Sequence, residues 1–165
     1  MEEKQDILQI IKGRFESEII LTDGSGDIPS VTVKSNSLFA IIEFLKNDPA
    51  TGYNFLTDIC GIHYPENELP LGVIYHMHNL GENRRIRIKT YVPLSNPEVA
   101  SVTPLFSSAN WMERETYDFY GIIFKGHPNL KRILNVEYLD FFPMRKEYPL
   151  EDPTREDKDN RYFGR

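Results

Sequence analysis

The chain has 165 residues, of which 40% are hydrophobic and 27% charged, and these are ordinary values for a single globular domain. Its net charge of −6 argues against binding to nucleic acid, and it contains no run of the roughly 18–20 apolar residues needed to span a bilayer. The one cysteine, Cys60, excludes an internal disulfide and an iron–sulfur cluster held by this chain alone, and it favours a reducing, cytoplasmic setting.

Hydrophobic periodicity divides the first 95 residues into helices and strands. Apolar residues recur at helical spacing in two stretches and alternate with polar residues in others, and Gly- or Pro-containing turns separate the stretches. In chain order the prediction is a helix over residues 3–15, a strand over 17–22, a strand around Val31 and Val33, a helix over 37–47 capped by Asn36 or Ser37, and strands over about 54–63, 71–79 and 84–92.

The last third of the chain changes character. Asn96 and Pro97 predict the start of a helical region, which Pro104 interrupts before a firmer helix over 108–120 that Gly121 closes. Residues 125–165 are rich in Pro, charge and aromatic rings and show little periodicity. The sequence therefore predicts an α+β domain over 1–124, with helices on one face of a mixed, mostly antiparallel sheet, and an extended partner-binding tail over 125–165.

Two histidine arrangements are candidates for chemical sites. His76 and His78 lie two residues apart on a predicted strand, so both imidazoles share one face and could bind a metal. No adjacent Cys, Asp or Glu completes a ligand set, and a packed or solvated pair is favoured. Cys60 and His63 could form a nucleophile pair, but a small buried thiol is favoured because no catalytic context surrounds them. The sequence thus predicts no catalytic residue, metal site or cofactor site in this chain.

The helix from Trp111 to Gly121 mixes acidic and aromatic residues around its whole circumference. Arg114 and Asp118 are i,i+4 neighbours of opposite charge, and Glu113 and Tyr117 are also four residues apart. The pattern fits either a surface helix laced with ion pairs or a helix between the core and a partner, with charges paired across the boundary. Arginine and aromatic enrichment favours the second interpretation.

The tail adds further candidates for a subunit interface. A stiff turn at 126–128 contains His127, which could titrate near neutral pH or act as a hydrogen-bonding strut, and the strut is favoured. Aromatic residues around the basic pair in 141–150 would suit an extended segment laid along a partner. The predicted interface residues are Trp111, Glu113, Arg114, Glu115, Tyr117, Asp118, Gly121, His127, Pro128, Arg132, Arg145, Lys146 and Tyr148.

These motifs resemble a known family. The sequence ERETYDFYGI over 113–122, followed by GHP over 126–128, RIL over 132–134 and PMRKEYPL over 143–150, is similar to the C subunit of respiratory complex I. This is the thirty-kilodalton subunit family of NADH:quinone oxidoreductase. Phe119-Tyr120 stands where the family commonly has Leu-Phe, which is a mild departure.

The resemblance implies a non-catalytic scaffold subunit of a proton-translocating complex. It implies a place in the peripheral arm, on the cytoplasmic face of a bacterial inner membrane, with membrane association through partners only. The implied partners are the D subunit, which forms the quinone site, the B and I subunits, and the NADH-side arm; iron–sulfur clusters, FMN and quinone would all belong to partner subunits. The equivalent subunit of a membrane-bound hydrogenase or of a ferredoxin-dependent complex is the alternative, and a stand-alone metal-dependent enzyme is a third hypothesis.

Overall fold

The computed structural model describes residues 2–148, with the backbone alone described over residues 2–6. Three helices and seven strands make up this part of the chain. In chain order they are α1 (Glu2–Phe15), β1 (Ile19–Asp23), β2 (Ser30–Val33), α2 (Leu38–Asn47), β3 (Phe55–His63), β4 (Leu71–Asn79), β5 (Arg84–Val92), β6 (Glu98–Ala100), α3 (Ala109–Tyr120) and β7 (Ile123–Lys125).

Five strands form one sheet in the spatial order β1-β2-β5-β4-β3. The β2–β5 pair is parallel and the other three pairs are antiparallel. The predicted fold class, an α+β sandwich on a mixed, mostly antiparallel sheet, is therefore confirmed. The turn from β4 to β5 is tight, and Asn83 takes the left-handed conformation there with φ of 51°.

Within residues 2–148 the helices pack on one face of this sheet, and none of them covers the other face. Alternation along β4 buries Val73, Tyr75 and Met77 and leaves His76 half-buried on the opposite face. The buried side chains of α1 and α2 belong to the same apolar cluster as those of the strands. These helical core residues are Ile7, Leu8, Ile11, Leu38, Ile41, Ile42 and Leu45.

Several local predictions need correction. The region after Asn96 is not helical, because residues 98–100 form β6. This strand pairs in parallel with β7, which follows α3 in the sequence. This pairing joins residues 25 positions apart (98 and 123), so local periodicity carries no trace of it. Ser37 does not cap α2 through its side chain, since its hydroxyl donates to the Lys34 carbonyl. The first strand begins at Ile19 because residues 16–18 form a 3-10 turn.

Residues 126–148 contain no helix or strand and lie against the end of α3. Residues 149–165, the last part of the predicted tail, lie outside the described residues, and the division of the chain at residue 124 stays a prediction. No helix within residues 2–148 is long and apolar enough to cross a bilayer.

Candidate functional site

The helix α3 ends where the sequence predicted. Gly121 has φ of 74°, and its N–H donates to the Tyr117 carbonyl. Only glycine adopts this left-handed conformation without strain. A Cβ at this position would also lie 2.5 Å from the ring of Phe142 and 2.7 Å from Nη2 of Arg145. The glycine therefore both ends the helix and lets the following segment return across its end.

Asp118, near the end of α3, binds the segment that crosses the end of the helix. Its side chain is completely buried, yet its carboxylate accepts five hydrogen bonds. The donors are Nη1 of Arg132 (2.8 Å), the backbone N–H groups of Ile133 (3.0 Å), Leu134 (2.8 Å) and Asn135 (2.9 Å), and Nδ2 of Asn135 (3.1 Å). Burial alone would raise the pKa of Asp118, but the hydrogen bonds from Asn135, Arg132 and the neighbouring backbone outweigh it and hold the pKa well below its usual range. The ionised carboxylate thus fixes the shape of residues 132–135.

Two arginines attach the following segment to the end of α3. Arg132 also donates to the backbone carbonyls of Asp118, Leu139 and Phe141, and Arg145 donates through Nε to the carbonyl of Tyr120 at 2.8 Å. Both guanidinium groups lie against the Phe142 ring, at 5.1 Å and 4.6 Å from its centroid. The last carbonyls of a helix have no intrahelical donor, so these bonds satisfy groups that would otherwise need water.

Arg114 and His127 support the same segment, although Arg114 does not do so in the way that spacing alone suggests. Arg114 does not pair with Asp118; it donates to the carbonyls of Lys131 and Arg132, and Arg132 takes the ion pair with Asp118 at 2.8 Å. His127 is the expected strut: its Nδ1 accepts from the N–H of Asn129, and its Nε2 donates to the carbonyl of Asn110 at 3.0 Å.

Glu113 faces the interior of the chain rather than a boundary. Its carboxyl group is completely buried and accepts from the Ser101 hydroxyl and the Val102 N–H, each at 2.7 Å. Burial raises the pKa of Glu113 to about 7, although these two hydrogen bonds act in the opposite direction. The hypothesis that charges of this helix pair across a boundary therefore does not apply to the side chains of Glu113 and Asp118.

The remaining predicted residues lie at or near the outer surface of this region. Trp111, Glu115, Pro128 and Lys146 are exposed, and the half-buried Tyr117 ring lies edge-on to Phe142 at 6.2 Å. Tyr148 is exposed beside the ring of Phe141, and the backbone N–H of Lys146 donates to His63. Their assignment to a subunit interface stays a prediction.

Three further surface residues escaped the sequence prediction. Leu134, Val136 and Tyr138 are 64%, 48% and 86% exposed and lie within or just after the loop that Asp118 holds. We call Leu134, Val136 and Tyr138 the loop patch. The alternation of apolar residues at 134, 136 and 138 is a usable signal, but taken alone it indicates a half-buried strand. Exposed apolar residues in a fixed loop are typical of a protein–protein contact.

The structure places an acid and a thiol next to His76, so the expectation that no Cys or Asp adjoins the histidines is wrong. Among residues 2–148, the ligand atoms of Asp58, Cys60 and His76 lie within 4.8 Å of one another. Nε2 of His76 accepts from Nε of Arg87 at 2.9 Å, so the neutral ring carries its proton on Nδ1, the atom nearer Asp58. That tautomer cannot ligate a metal through Nδ1, and burial, followed by Asp58, raises the pKa of the Cys60 thiol. His63 is buried and engaged with Lys146, so it does not activate Cys60.

A family model described as the 30 Kd subunit of respiratory-chain NADH dehydrogenase matches residues 31–154. The C subunit of NADH-quinone oxidoreductase from Methylobacterium sp. (strain 4-46) is 43% identical over 121 residues, which cover 73% of this chain and 56% of that protein. The chain thus spans little more than half the length of this relative.

Two solved structures are similar in fold. One is Nqo5, as its trypsin-resistant fragment 1–134, with a TM-score of 0.67 and 30% identity over 76% of this chain and 98% of the fragment. The other is a chain of the membrane-bound sulfane sulfur reductase, an archaeal respiratory membrane complex, with a TM-score of 0.74 over 96% of this chain and 98% of that one. The second pair shares 18% identity, so that likeness concerns the fold alone.

Proposed function

This chain belongs to the 30-kilodalton subunit family of respiratory-chain NADH dehydrogenase, also known as the C subunit of complex I, and from that membership we propose that it is a cofactor-free scaffold subunit. Its task in this proposal is to assemble and rigidify the peripheral arm of a proton-translocating NADH:quinone oxidoreductase. It contributes to electron transfer from NADH to quinone by positioning other subunits, and it has no catalytic residue of its own.

The observation that carries the proposal is the loop fixed by Asp118. A completely buried carboxylate with five hydrogen bonds orders residues 132–135. The loop patch begins within this loop and continues past it, and its apolar side chains are exposed rather than packed into the core. Ordering a loop costs conformational entropy, so a loop ordered to present apolar groups outward supports a role in binding a partner.

The partners and the location are part of the proposal. We assign the loop patch and the exposed residues of α3 to contacts with the D subunit that forms the quinone site, and we place the B and I subunits and the NADH-side arm nearby. Iron–sulfur clusters, FMN and quinone belong to those partners, since the single cysteine of this chain cannot hold a cluster. The chain would lie on the cytoplasmic face of the inner membrane and be held there by its partners.

The test compares two pairs of exposed apolar residues. The variant with Leu134→Ser and Tyr138→Ser alters the loop patch, and the control with Leu80→Ser and Leu94→Ser alters exposed leucines elsewhere. Each is expressed in place of the native chain, and complex is recovered from detergent-solubilised membranes with the co-purifying subunits identified. We expect the loop-patch variant to lose partners and NADH:quinone activity by about tenfold, while the control keeps both. Normal assembly of the loop-patch variant would contradict the proposal.

One second candidate comes from the fold shared with the archaeal respiratory membrane complex. That likeness extends over 96% of this chain. The alternative is the equivalent subunit of a ferredoxin-fed or hydrogen-evolving membrane complex. The same pull-down separates the two, because recovery of an NADH-binding flavoprotein subunit indicates complex I and recovery of a hydrogenase or sulfur-reducing subunit indicates the alternative.

A further inference from the structure

The open face of the five-stranded sheet carries a row of cations. Arg85, Arg87 and Lys89 alternate along β5 with the buried Ile86 and Ile88, so the three basic side chains project from the face opposite the helices. The register of β4 against β5 places His78 beside Arg85 and His76 beside Arg87. We call Arg85, Arg87, Lys89, His76 and His78 the basic face.

These cations have acids near them but no direct ion-pair partner within residues 2–148. None of Arg85, Arg87 and Lys89 forms an ion pair there. The nearby acids are Asp27, which lines the same cavity as Arg85, Asp23 on β1, and Asp58 on β3, which lies 3.8 Å from His76. The Asp23 carboxylate accepts two hydrogen bonds from Ser25 and also interacts electrostatically with Lys89. In a chain with a net charge of −6, three cations on one strand with no ion-pair partner among the described residues are a local excess of positive charge.

An apolar strip lies beside the cations. Ile62 and Tyr91 close over Gly72, where an added Cβ would lie 2.8 Å from each of them. Ile74 continues the strip and pairs in register with Lys89. All three apolar side chains are half-buried, and no helix within the described chain covers them. A half-buried apolar strip next to a charged margin is the usual composition of a protein–protein contact.

We propose that the basic face is a second docking surface, occupied by an acidic segment of another subunit of the same complex. The proposal rests on the proposed scaffold function and deepens it by giving the chemistry of a second partner. Residues on the same face of a strand are about 6.6 to 6.8 Å apart. A partner segment that matches this spacing is therefore extended and has Asp or Glu at alternate positions. Asp23 and Asp58 bracket the cations. A peptide can place uncharged residues opposite these two acids and carboxylates opposite the cations, whereas a phosphate backbone carries a charge at every step, which favours the peptide.

The electrostatics of His76 agree with this assignment. Burial, and then the charge of Arg87, lower the pKa of His76, and Lys89 acts in the same direction against the opposite effect of Asp58. His78 and the half-buried Cys60 share the same face and add no net negative charge. Burial first, and the neighbouring positive charges second, thus favour the neutral ring, and an acidic segment seated on this face would offset the second contribution.

The experiment uses zero-length carbodiimide cross-linking of the assembled complex, because this reagent joins an amine to a carboxylate only where the two are in contact. We expect Lys89 to form an amide bond with an Asp or Glu of another subunit, identified by mass spectrometry. The Lys89→Arg variant keeps the charge, so it should lose the cross-link and retain assembly. Lys12, an exposed lysine on α1, is the control and should give no cross-link to that segment.

A matched pair of charge reversals gives the second readout. We expect Arg85→Glu with Lys89→Glu to reduce recovery of the complex by about tenfold in moderate salt, and Lys12→Glu with Arg14→Glu, which change the net charge equally, to leave it unchanged. The proposal predicts that a partner covers Lys89. If an amine-reactive reagent modifies Lys89 equally in the free chain and in the complex, the proposal is overturned. Cross-linking of Lys89 only to a carboxylate of its own chain would also overturn it. So would protection of Lys89 from the reagent that is lost after nuclease treatment or lipid extraction, because the partner would then be nucleic acid or lipid.

The outcomes separate this inference from the scaffold function. If the loop-patch variant disrupts the complex and the charge reversal does not, only the second docking surface is wrong. If neither variant affects assembly, the scaffold function itself is wrong.

Discussion

At the scale of single residues, two acids of α3 differ by five positions and have opposite electrostatic environments. Asp118 is ionised because five hydrogen bonds from residues 132–135 favour the charged form, whereas Glu113 lies among core residues and accepts from two donors. The sequence identifies both as unusual, since acids among aromatic residues leave the helix without a clean polar face. It does not tell which of the two has the raised pKa, because the decisive donors come from distant positions.

Replacing Asp118 tests the first environment. Asp118→Asn removes the charge and replaces one acceptor oxygen by an NH2 donor, which then faces other donors: either Nη1 of Arg132 and Nδ2 of Asn135, or the N–H groups of residues 133–135. Because the ion pair with Arg132 is buried, we expect the unfolding free energy to fall by about 3 kcal/mol. Urea unfolding at neutral pH measures it, with the exposed Asp140→Asn as the control, which should change by less than about 0.5 kcal/mol. Equal stability of the two variants would contradict the role of Asp118.

Glu113 predicts a dependence of stability on pH. Its pKa is about 7 in the folded chain and 4.5 is the ordinary value that it regains on unfolding. Between these values the folded chain holds a proton that the unfolded chain has released, so the unfolding free energy falls as pH rises. The full effect is about 3 kcal/mol, from pH values below 4.5 to values above 7.

The Glu113→Gln variant isolates this effect. Glutamine accepts from the Val102 N–H and donates to the Ser101 hydroxyl without ionising, so its stability should lack the Glu113 contribution. We expect the unfolding free energy of the variant to rise relative to that of the native chain as pH rises from about 5 to about 7.5. Urea unfolding at each pH measures this difference. Glu115→Gln, on an exposed position of the same helix, should run parallel to the native chain. A parallel curve for Glu113→Gln would refute the assignment.

At the scale of elements, the sequence predicts long strands with clear alternation better than short strands that depend on pairing with a distant part of the chain. The strands β3, β4 and β5 are nine residues each and alternate clearly, and their predicted bounds differ from the structure by one residue or less. The strands β6 and β7 have three residues each and exist only because they pair with each other across α3. The loop patch escaped prediction for a similar reason, since side chains and not a ladder hold the segment that follows β7.

The contact between β3 and α3 is a further element-scale feature that predicts a mutation. Gly61 lies under the ring of Tyr120, and any Cβ there would overlap the ring. Gly61→Ala should therefore push α3 away from the sheet and lower the unfolding free energy by about 1 to 3 kcal/mol. Gly13→Ala on α1 meets no atom within 4 Å and should instead stabilise by about 0.5 to 1 kcal/mol. Thermal unfolding followed by circular dichroism distinguishes the two, and a neutral Gly61→Ala would argue against tight packing.

At the scale of the whole molecule, the segment after β7 connects the scaffold function to the fold. The sequence predicts a tail that must lie on some surface or else be disordered. The structure adds that residues 126–148 are attached to the chain's own helix by Asp118, Arg132 and Arg145. The Arg132 side chain donates hydrogen bonds to the carbonyls of Leu139 and Phe141, whereas Lys146 is exposed. Attachment is therefore uneven along the segment, and a protease can report on it.

Limited trypsin digestion of the isolated chain should cut after Lys146 early and after Arg132 only slowly, because cleavage at Arg132 requires the Asp118 network to open. Asp118→Asn should speed the cut after Arg132 without changing the rate at Lys146. In the assembled complex both sites should be protected, since a partner would cover the loop patch and the residues after it. Mass spectrometry of timed samples measures each rate. If Lys146 is cut equally fast in the free chain and in the complex, this end of the molecule does not face a partner, and the interface must be sought on another surface.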